Sequence, residues 1–102
     1  MKLLTKDILD RIPARAEDSN GARVYVKFFH PIQRWTWYAT EYNPDNGTFF
    51  GYVKSGIDPA YDELGYFTIE ELESIRKPLP LERDLYWNDK TTIGQVQRGE
   101  VS

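Results

Sequence analysis

Apolar side chains near the N-terminus recur at the spacing of a helix. They are Leu3, Leu4, Ile8, Leu9 and Ile12, which fall on one stripe of a helical surface. Thr5 or Asp7 can accept backbone N–H bonds at the start of this helix, and Pro13 ends it. The polar residues 14–21 end in Asn-Gly, a turn signal, and are predicted to form a mobile loop.

The pattern then changes from helical spacing to alternation, which is typical of strands. Three alternating segments rich in aromatic and β-branched residues occupy 23–29, 34–42 and 48–54, and a shorter one occupies 64–67. The links between these segments are short, so the strands are predicted to pair as an antiparallel meander.

Alternation also assigns the side chains of each strand to one of two sheet faces. In the first strand, one face carries Val24, Val26 and Phe28. In the second strand, one face carries Trp35, Trp37, Ala39 and Glu41, and the other carries Arg34, Thr36, Tyr38, Thr40 and Tyr42. The tryptophan-bearing face is predicted to lie against the helices, with Trp37 in the core.

A second helix is predicted from about Ile69 to Arg76, directly after the fourth strand. Its start fits a capping box, in which the Thr68 hydroxyl accepts the Glu71 N–H and the Glu71 carboxylate accepts the Thr68 N–H. Two prolines stop this helix, and the polar residues 88–102 are predicted to form a loosely ordered tail.

Together these elements predict one α+β domain over residues 1–102, the length of a single ordinary domain. We expect an antiparallel meander sheet of about four strands, with the N-terminal helix and the helix near 69–76 packed on one face.

Composition excludes several kinds of chemistry. The chain has no cysteine and one histidine, so disulfides, thiol nucleophiles and His/Cys metal sites are excluded. The glycines and serines form no phosphate-binding loop and no nucleophile elbow. We therefore expect no catalytic residue, no metal and no cofactor, although composition alone leaves catalysis open.

Charge is distributed unevenly along a chain whose net charge is -3. The segment 58–73 contains no basic residue, and its acids include Asp58, Asp62, Glu63, Glu70 and Glu73. Such a stripe is typical of a surface that binds a basic protein, although a simply solvated surface has the same composition. These five acids are the candidates for protein interaction, and the leading hypothesis is a non-enzymatic interaction module.

One alternative is a binder of single-stranded nucleic acid. Aromatic and basic residues alternate on the predicted sheet, and bases can stack on such a face. The candidates are Arg23, Tyr25, Lys27, Phe29, Arg34, Tyr38 and Lys54. The negative net charge opposes this interpretation.

Another alternative is a small-ligand site or an enzyme centred on a polar cluster. Glu41 follows the tryptophan-bearing face and requires a partner, for which Arg83, next to Asp84, is the candidate. Convergence of Glu41, Arg83 and Asp84 would give a carboxylate pair with an arginine clamp. A structural ion pair between the sheet and the C-terminal segment explains the same residues.

Five strings occur here in a characteristic order: YVKFF (25–29), WTWYATEY (35–42), FFGYV (49–53), ELGYFTIEELE (63–73) and LERDLYW (81–87). On these strings the sequence resembles a small bacterial family, the domain of unknown function numbered 2958. The resemblance covers nearly the whole chain and implies no activity, cofactor or catalytic residue. Members are encoded largely on mobile elements, which implies an accessory role, with a host defence component as a possible target.

The N-terminal residues interleave charged and apolar side chains, unlike a signal peptide. No apolar stretch approaches the ~20 residues that span a bilayer. We therefore expect a cytoplasmic protein without membrane association, with a protein partner of unknown identity and an oligomeric state that the sequence does not define.

Overall fold

An antiparallel sheet of five strands forms the centre of the computed structural model, which describes residues 2–16 and 21–101. The strands are β1 (Val26–Phe29), β2 (Thr36–Asn43), β3 (Thr48–Lys54), β4 (Glu63–Thr68) and β5 (Glu82–Arg83). The helices are α1 (Lys6–Arg11), α2 (Ile69–Ser74) and α3 (Ile93–Gln97), and the short 3-10 turn Pro59–Tyr61 precedes β4. The α+β class is confirmed. Half of the predicted loop at 14–21, residues 17–20, lies outside the described residues.

The strand order is β4-β3-β2-β1-β5, so β4 and β5 form the two edges of the sheet. Strands β1 to β4 pair consecutively and antiparallel, which confirms the predicted meander. The fifth strand was not predicted; it returns along β1 and places Arg83 opposite Phe28. The two edges therefore differ in length, with six residues in β4 and two in β5.

Strand β2 contains one residue more than β3 across the same span. Ala39 pairs with Gly51 and Glu41 pairs with Phe50, so Thr40 forms a β-bulge between them. Thr40 is buried, and its hydroxyl donates to the Phe50 carbonyl at 3.1 Å. Because successive side chains alternate between faces, each residue of β2 after the bulge lies on the face opposite to the one that simple alternation predicts.

The predicted alternation is therefore correct as far as Ala39 and wrong beyond it. Tyr42 packs in the same core as Ala39, with its ring 4.6 Å from that of Phe49. Glu41 lies on the opposite face, with Phe50. Apolar residues are consecutive at 37–39 and polar residues at 40–41, so the pattern does not show which residue is the extra one.

One face of the sheet, called here the α1/α2 face, carries the larger core. Its buried residues come from α1, α2, four strands and adjoining segments, and include Ile8, Ile12, Leu72, Val26 and Ala39. The Phe49 ring lies at its centre, with its centroid 5.4 Å from those of Phe28 and Phe67. Trp37 packs against this core and is half-buried, so its predicted face is confirmed and its enclosure is smaller than expected.

The opposite face, called here the α3 face, carries a second and smaller core. Tyr38 is 2% exposed there and packs with Ile93 and Val96 of α3. The Trp87 ring lies 5.7 Å from that of Tyr38, and its indole N–H donates to the Val24 carbonyl at 2.7 Å. The middle of the sheet is thus covered on both faces, with α1 and α2 together on one face as predicted.

Helix α3 corrects the prediction of a loosely ordered tail over 88–102. The Gln95 N–H donates to the Thr92 hydroxyl at 3.3 Å, and the Thr92 N–H donates back to the Gln95 side chain at 2.9 Å. This capping box starts the helix, and burial of Ile93 and Val96 against the sheet holds it in place.

The predicted face of Val24 is also corrected. Its N–H donates to the Thr91 carbonyl at 2.8 Å, and Arg23 forms a bridge with Thr92. This part of the chain is therefore tied to the segment before α3, and regular β1 begins only at Val26. As a result Val24 packs in the α3-face core and Val26 in the α1/α2-face core.

The predicted helix starts are confirmed with one change. The Thr5 hydroxyl accepts the Ile8 N–H at 3.3 Å, and the Thr68 hydroxyl accepts the Glu71 N–H at 3.0 Å. The Glu71 carboxylate accepts a bond from the Thr68 hydroxyl at 3.1 Å rather than from the Thr68 backbone, so this capping box is half formed.

The close approach of β2 and β3 at the bulge can be tested by replacing Gly51 with alanine, with the same replacement at Gly65 as the control. In Gly51→Ala the new Cβ would lie 1.8 Å from the Tyr38 carbonyl oxygen, so the variant should lose about 3 kcal/mol of unfolding free energy. Gly65 pairs with Gly51 across the ladder, and a Cβ there meets no atom within 4 Å. Gly65→Ala should change the unfolding free energy by less than about 1 kcal/mol. Urea unfolding measures both, and equal stabilities would contradict the close approach at the bulge.

Candidate functional site

The open edge of β4 exposes backbone groups that no other strand uses. The Ile69 N–H donates to the Gly47 carbonyl at 2.9 Å. Bonding to β3 recurs at every second residue before Ile69, which means at Phe67, Gly65 and Glu63. Of the residues between them, Leu64 and Tyr66 direct both their N–H and their C=O away from the sheet. Within residues 2–16 and 21–101 no group bonds to them.

The side chains of the same two residues are exposed beside two half-buried rings. Leu64 pairs with Tyr52 and Tyr66 pairs with Phe50, so all four lie on the α3 face, beyond the part that α3 covers. Leu64 is 41% exposed and Tyr66 is 78% exposed, and the Tyr66 ring meets that of Phe50 edge to face at 5.0 Å. We call Phe50, Tyr52, Leu64 and Tyr66 the outer patch.

The bulge brings Glu41 to the border of the outer patch. Glu41 lies opposite Phe50 and lines a shallow groove that also includes Arg15 and Tyr66. Among the described residues, none forms an ion pair with Glu41. The predicted cluster of Glu41 with Arg83 is therefore not formed, because Thr40 turns Glu41 to the face away from its expected position.

Arg83 and Asp84 lie at the other end of the sheet. Arg83 lies in β5, two strands from β2, and pairs with Phe28 of β1. Its guanidinium donates to the backbone carbonyls of Lys2 and Leu3. The two residues line a cleft whose other charged side chains include Asp7, Arg11 and Asp89. Arg11 forms ion pairs with both of those aspartates, so the cleft is lined by charges that neutralise one another.

The acidic candidates lie before, within and after β4. Asp58 caps the 3-10 turn, where its carboxylate accepts the Ala60 N–H at 3.0 Å. Glu63 begins β4 and is exposed, and Glu70 and Glu73 are exposed on α2. Both ends of the open edge are therefore flanked by negative charge.

The carboxylate of Asp62, like that of Asp58, is used by the fold. It accepts the Ser55 N–H at 2.7 Å and the Tyr52 hydroxyl at 3.5 Å. Burial raises the pKa of Tyr52, and the charge of Asp62 and its hydrogen bond raise it further. Asp62 thus fixes the β3–β4 connection and orients one ring of the outer patch.

The nucleic-acid candidates do not share one open face. Tyr38 is buried under α3, where it cannot stack on a base. Lys27 is 16% exposed, with its Nζ 5.9 Å from the Tyr38 ring, 5.8 Å from the Trp87 ring and 3.9 Å from the Asp84 carboxylate. Phe29 is half-buried beside Lys27.

The remaining nucleic-acid candidates are dispersed. Arg23 lies over the Tyr25 ring at 5.0 Å and pairs with Asp89 at 3.3 Å. Arg34 is exposed in the link before β2, and Lys54 ends β3. The basic candidates are thus committed to other contacts or dispersed, so they do not form one basic surface with the exposed rings.

The family model described as "Protein of unknown function (DUF2958)" matches residues 3–98. The chain belongs to the DUF2958 family. The match covers both cores and the outer patch, and it confirms the resemblance carried by the five strings. No curated protein and no solved structure matches the chain significantly.

Membrane-spanning helices and metal-binding clusters were sought among the described residues of this DUF2958 protein. No helix among them is long and apolar enough to cross a membrane. They also place no three histidine, aspartate or glutamate side chains together in a way that could hold a metal ion.

The single histidine is buried, although its place beside Pro31 at the end of a strand is typical of a surface turn residue. His30 is 5% exposed, and its Nδ1 accepts the N–H groups of Ile32 and Gln33 at 3.1 and 2.9 Å. The neutral ring therefore carries its proton on Nε2, which is buried and has no partner among the described residues. His30 shapes the turn between β1 and β2 and is not part of the outer patch.

Alkaline titration tests the enclosure of Tyr38 in this DUF2958 protein. Burial raises the pKa of Tyr38 from 10.0 to about 12, and Tyr52, Asp62 and Asp84 add to the effect. The folded pKa lies above the unfolded value, so this contribution to stability is complete below pH 10.0 and is lost as pH rises toward about 12. Unfolding free energies across this window should fall less steeply in Tyr38→Phe. Identical slopes would contradict the burial of Tyr38.

Proposed function

We propose that this protein is a non-enzymatic protein-interaction module, which docks its partner on the outer patch and the open edge of β4. The observation that carries the proposal is the exposure of Leu64 and Tyr66 on an edge strand whose outer side pairs with no other described strand. Side chains of this kind contribute most to binding when a partner removes them from water.

Exposed apolar residues are concentrated in one part of the chain. Among the described residues, four of the nine large hydrophobic side chains that are exposed fall between 57 and 66: Ile57, Tyr61, Leu64 and Tyr66. Single exposed apolar residues are ordinary, whereas neighbouring ones are typical of interaction sites. Aromatic residues are also enriched in interface centres, and the outer patch has three rings in four residues.

The charge around the patch favours a basic partner. Glu41, Glu63 and Glu70 lie around the patch and the ends of β4, and the segment 58–73 contains no basic residue. Arg15 lies on the groove beside Glu41, so the charge around the patch is mainly rather than entirely negative. Predominantly negative charge around an apolar centre steers a basic partner and disfavours acidic ones. The same charge opposes nucleic acid, whose phosphates would be repelled.

For the partner itself, we propose a host protein in the cytoplasm. The mobile-element setting associated with DUF2958 suggests a component of host defence, and the absence of cysteine suits a reducing compartment.

Site-specific photo-crosslinking in cells of the encoding organism tests this proposal. Tyr66 is replaced by the photoreactive residue p-benzoylphenylalanine, and a second protein carries the same replacement at Tyr86. Tyr86 is the matched control because it is a 95% exposed tyrosine at the opposite edge of the sheet. We expect discrete protein adducts from position 66 and none of the same mass from position 86.

Charge reversal then tests the chemistry of the partner. Glu63→Lys with Glu70→Lys should reduce the adduct from position 66 about tenfold, since charges at an interface rim govern the rate of association. Glu100→Lys, an exposed acid near the C-terminus, should leave the yield unchanged. Absence of adducts at position 66, or equal adducts at both positions, would contradict the proposed docking surface.

A further inference from the structure

We infer that the open edge of β4 binds an extended segment of the partner as an added antiparallel or parallel strand, in which apolar and basic residues alternate. This inference rests on the proposed function and specifies how the partner is recognised. Three features of the β4 edge support it: its backbone, its two faces and its charge.

The backbone of β4 is available for strand addition. The outward N–H and C=O groups of Leu64 and Tyr66 supply two donors and two acceptors. Native sheets usually protect such an edge with a bulge, a proline or a lysine. The strand Glu63–Thr68 contains neither proline nor lysine, and its register with β3 has no shift.

The two faces of β4 offer different surroundings to an added strand. On the α3 face, Leu64 and Tyr66 present apolar side chains next to Phe50. Side chains of the added strand alternate between faces, so those on the α3 face would pack against these residues and are expected to be apolar.

On the α1/α2 face the surroundings are acidic and open. Glu63 and Gly65 alternate with Leu64 and Tyr66 and so lie on this face, where α2 also packs and carries Glu70. A Cβ at Gly65 would meet no atom within 4 Å, which leaves room beside it for a long side chain. Residues of the added strand on this face are therefore expected to be lysine or arginine.

The same charges disfavour a second copy of this chain as the occupant. Pairing two β4 strands edge to edge would bring together two acidic segments, each without a basic residue from 58 to 73. Like charges across a strand pair are destabilising. A segment with basic residues at alternate positions satisfies the backbone, the patch and the charge together.

Amide hydrogen exchange with a defined probe tests strand addition. The probe is a capped peptide of alternating valine and lysine, about eight residues long to match the strand. Bound as a strand, it should slow exchange of the Leu64 and Tyr66 amides at least about tenfold, because these N–H groups become hydrogen-bonded. The neighbouring Gly65 amide already bonds to β3 and should change much less.

Two control peptides separate the components of recognition. A peptide with glutamate in place of lysine should give no protection, because it meets the acidic edge with like charge. A peptide of the same valine and lysine content without alternation should protect the two amides much less, because it cannot place lysines on one face only.

A pair of variants separates the backbone from the side chain at one position. Leu64→Pro removes an outward N–H and leaves the bonds of β4 to β3 intact, as edge strands tolerate. It should weaken binding of the valine-lysine peptide about tenfold more than Leu64→Ala, which keeps the N–H. Exchange in the unaltered protein does not depend on either variant, so misfolding of Leu64→Pro would not affect that test.

Lack of protection at Leu64 and Tyr66 at saturating peptide overturns strand addition, as does protection by the glutamate peptide. Protection that appears without peptide and grows with protein concentration also overturns it, because the occupant is then a second copy. Crosslinking from position 66 without amide protection would leave the docking surface standing and refute only its mode of recognition.

Discussion

The bulge at Thr40 is the constraint on which both faces of the sheet depend. One extra residue in β2 allows Tyr38 to lie beneath α3 and Tyr42 to lie in the core on the opposite side. The close approach of the strands at this point requires a residue without a Cβ at position 51. The Thr40 hydroxyl satisfies the Phe50 carbonyl, so the irregularity leaves that buried polar group bonded.

The bulge also determines what the surface can bind. It moves Glu41 away from the core and places it opposite Phe50, at the border of an aromatic patch. The two edges of the sheet then differ in kind. The β5 edge is two residues long, whereas the β4 edge is six residues long, with exposed apolar side chains on one face and Glu63 on the other. This asymmetry favours binding at β4.

Local signals in the sequence predicted much of this fold. The alternation of β3, the cap at Thr68 and the acidic segment 58–73 were all visible, because each depends on neighbouring residues. The spacing of Thr92 and Gln95 is a local signal of the same kind. The helix that follows has only five residues within a polar segment, which is too short for its apolar pattern to predict it.

The rest of the site depends on contacts that a sequence pattern does not encode. The sequence pattern at 37–42 does not identify the extra residue, so the position of Glu41 could not be predicted without the register of two strands. Leu64 and Tyr66 are exposed because β4 is an edge, which follows from strand order rather than from the residues themselves. Burial of His30 likewise depends on the conformation of the turn between β1 and β2, in which the Gln33 N–H donates to its ring.

The most direct test of the proposed docking surface is amide hydrogen exchange of this protein in complex with a protein that crosslinks to position 66. We expect new protection to be concentrated at Leu64 and Tyr66, with little change at Leu85 and Tyr86 beside the opposite edge. Protection concentrated at that opposite edge, with the β4 amides exchanging as in the free protein, would contradict the proposed docking surface.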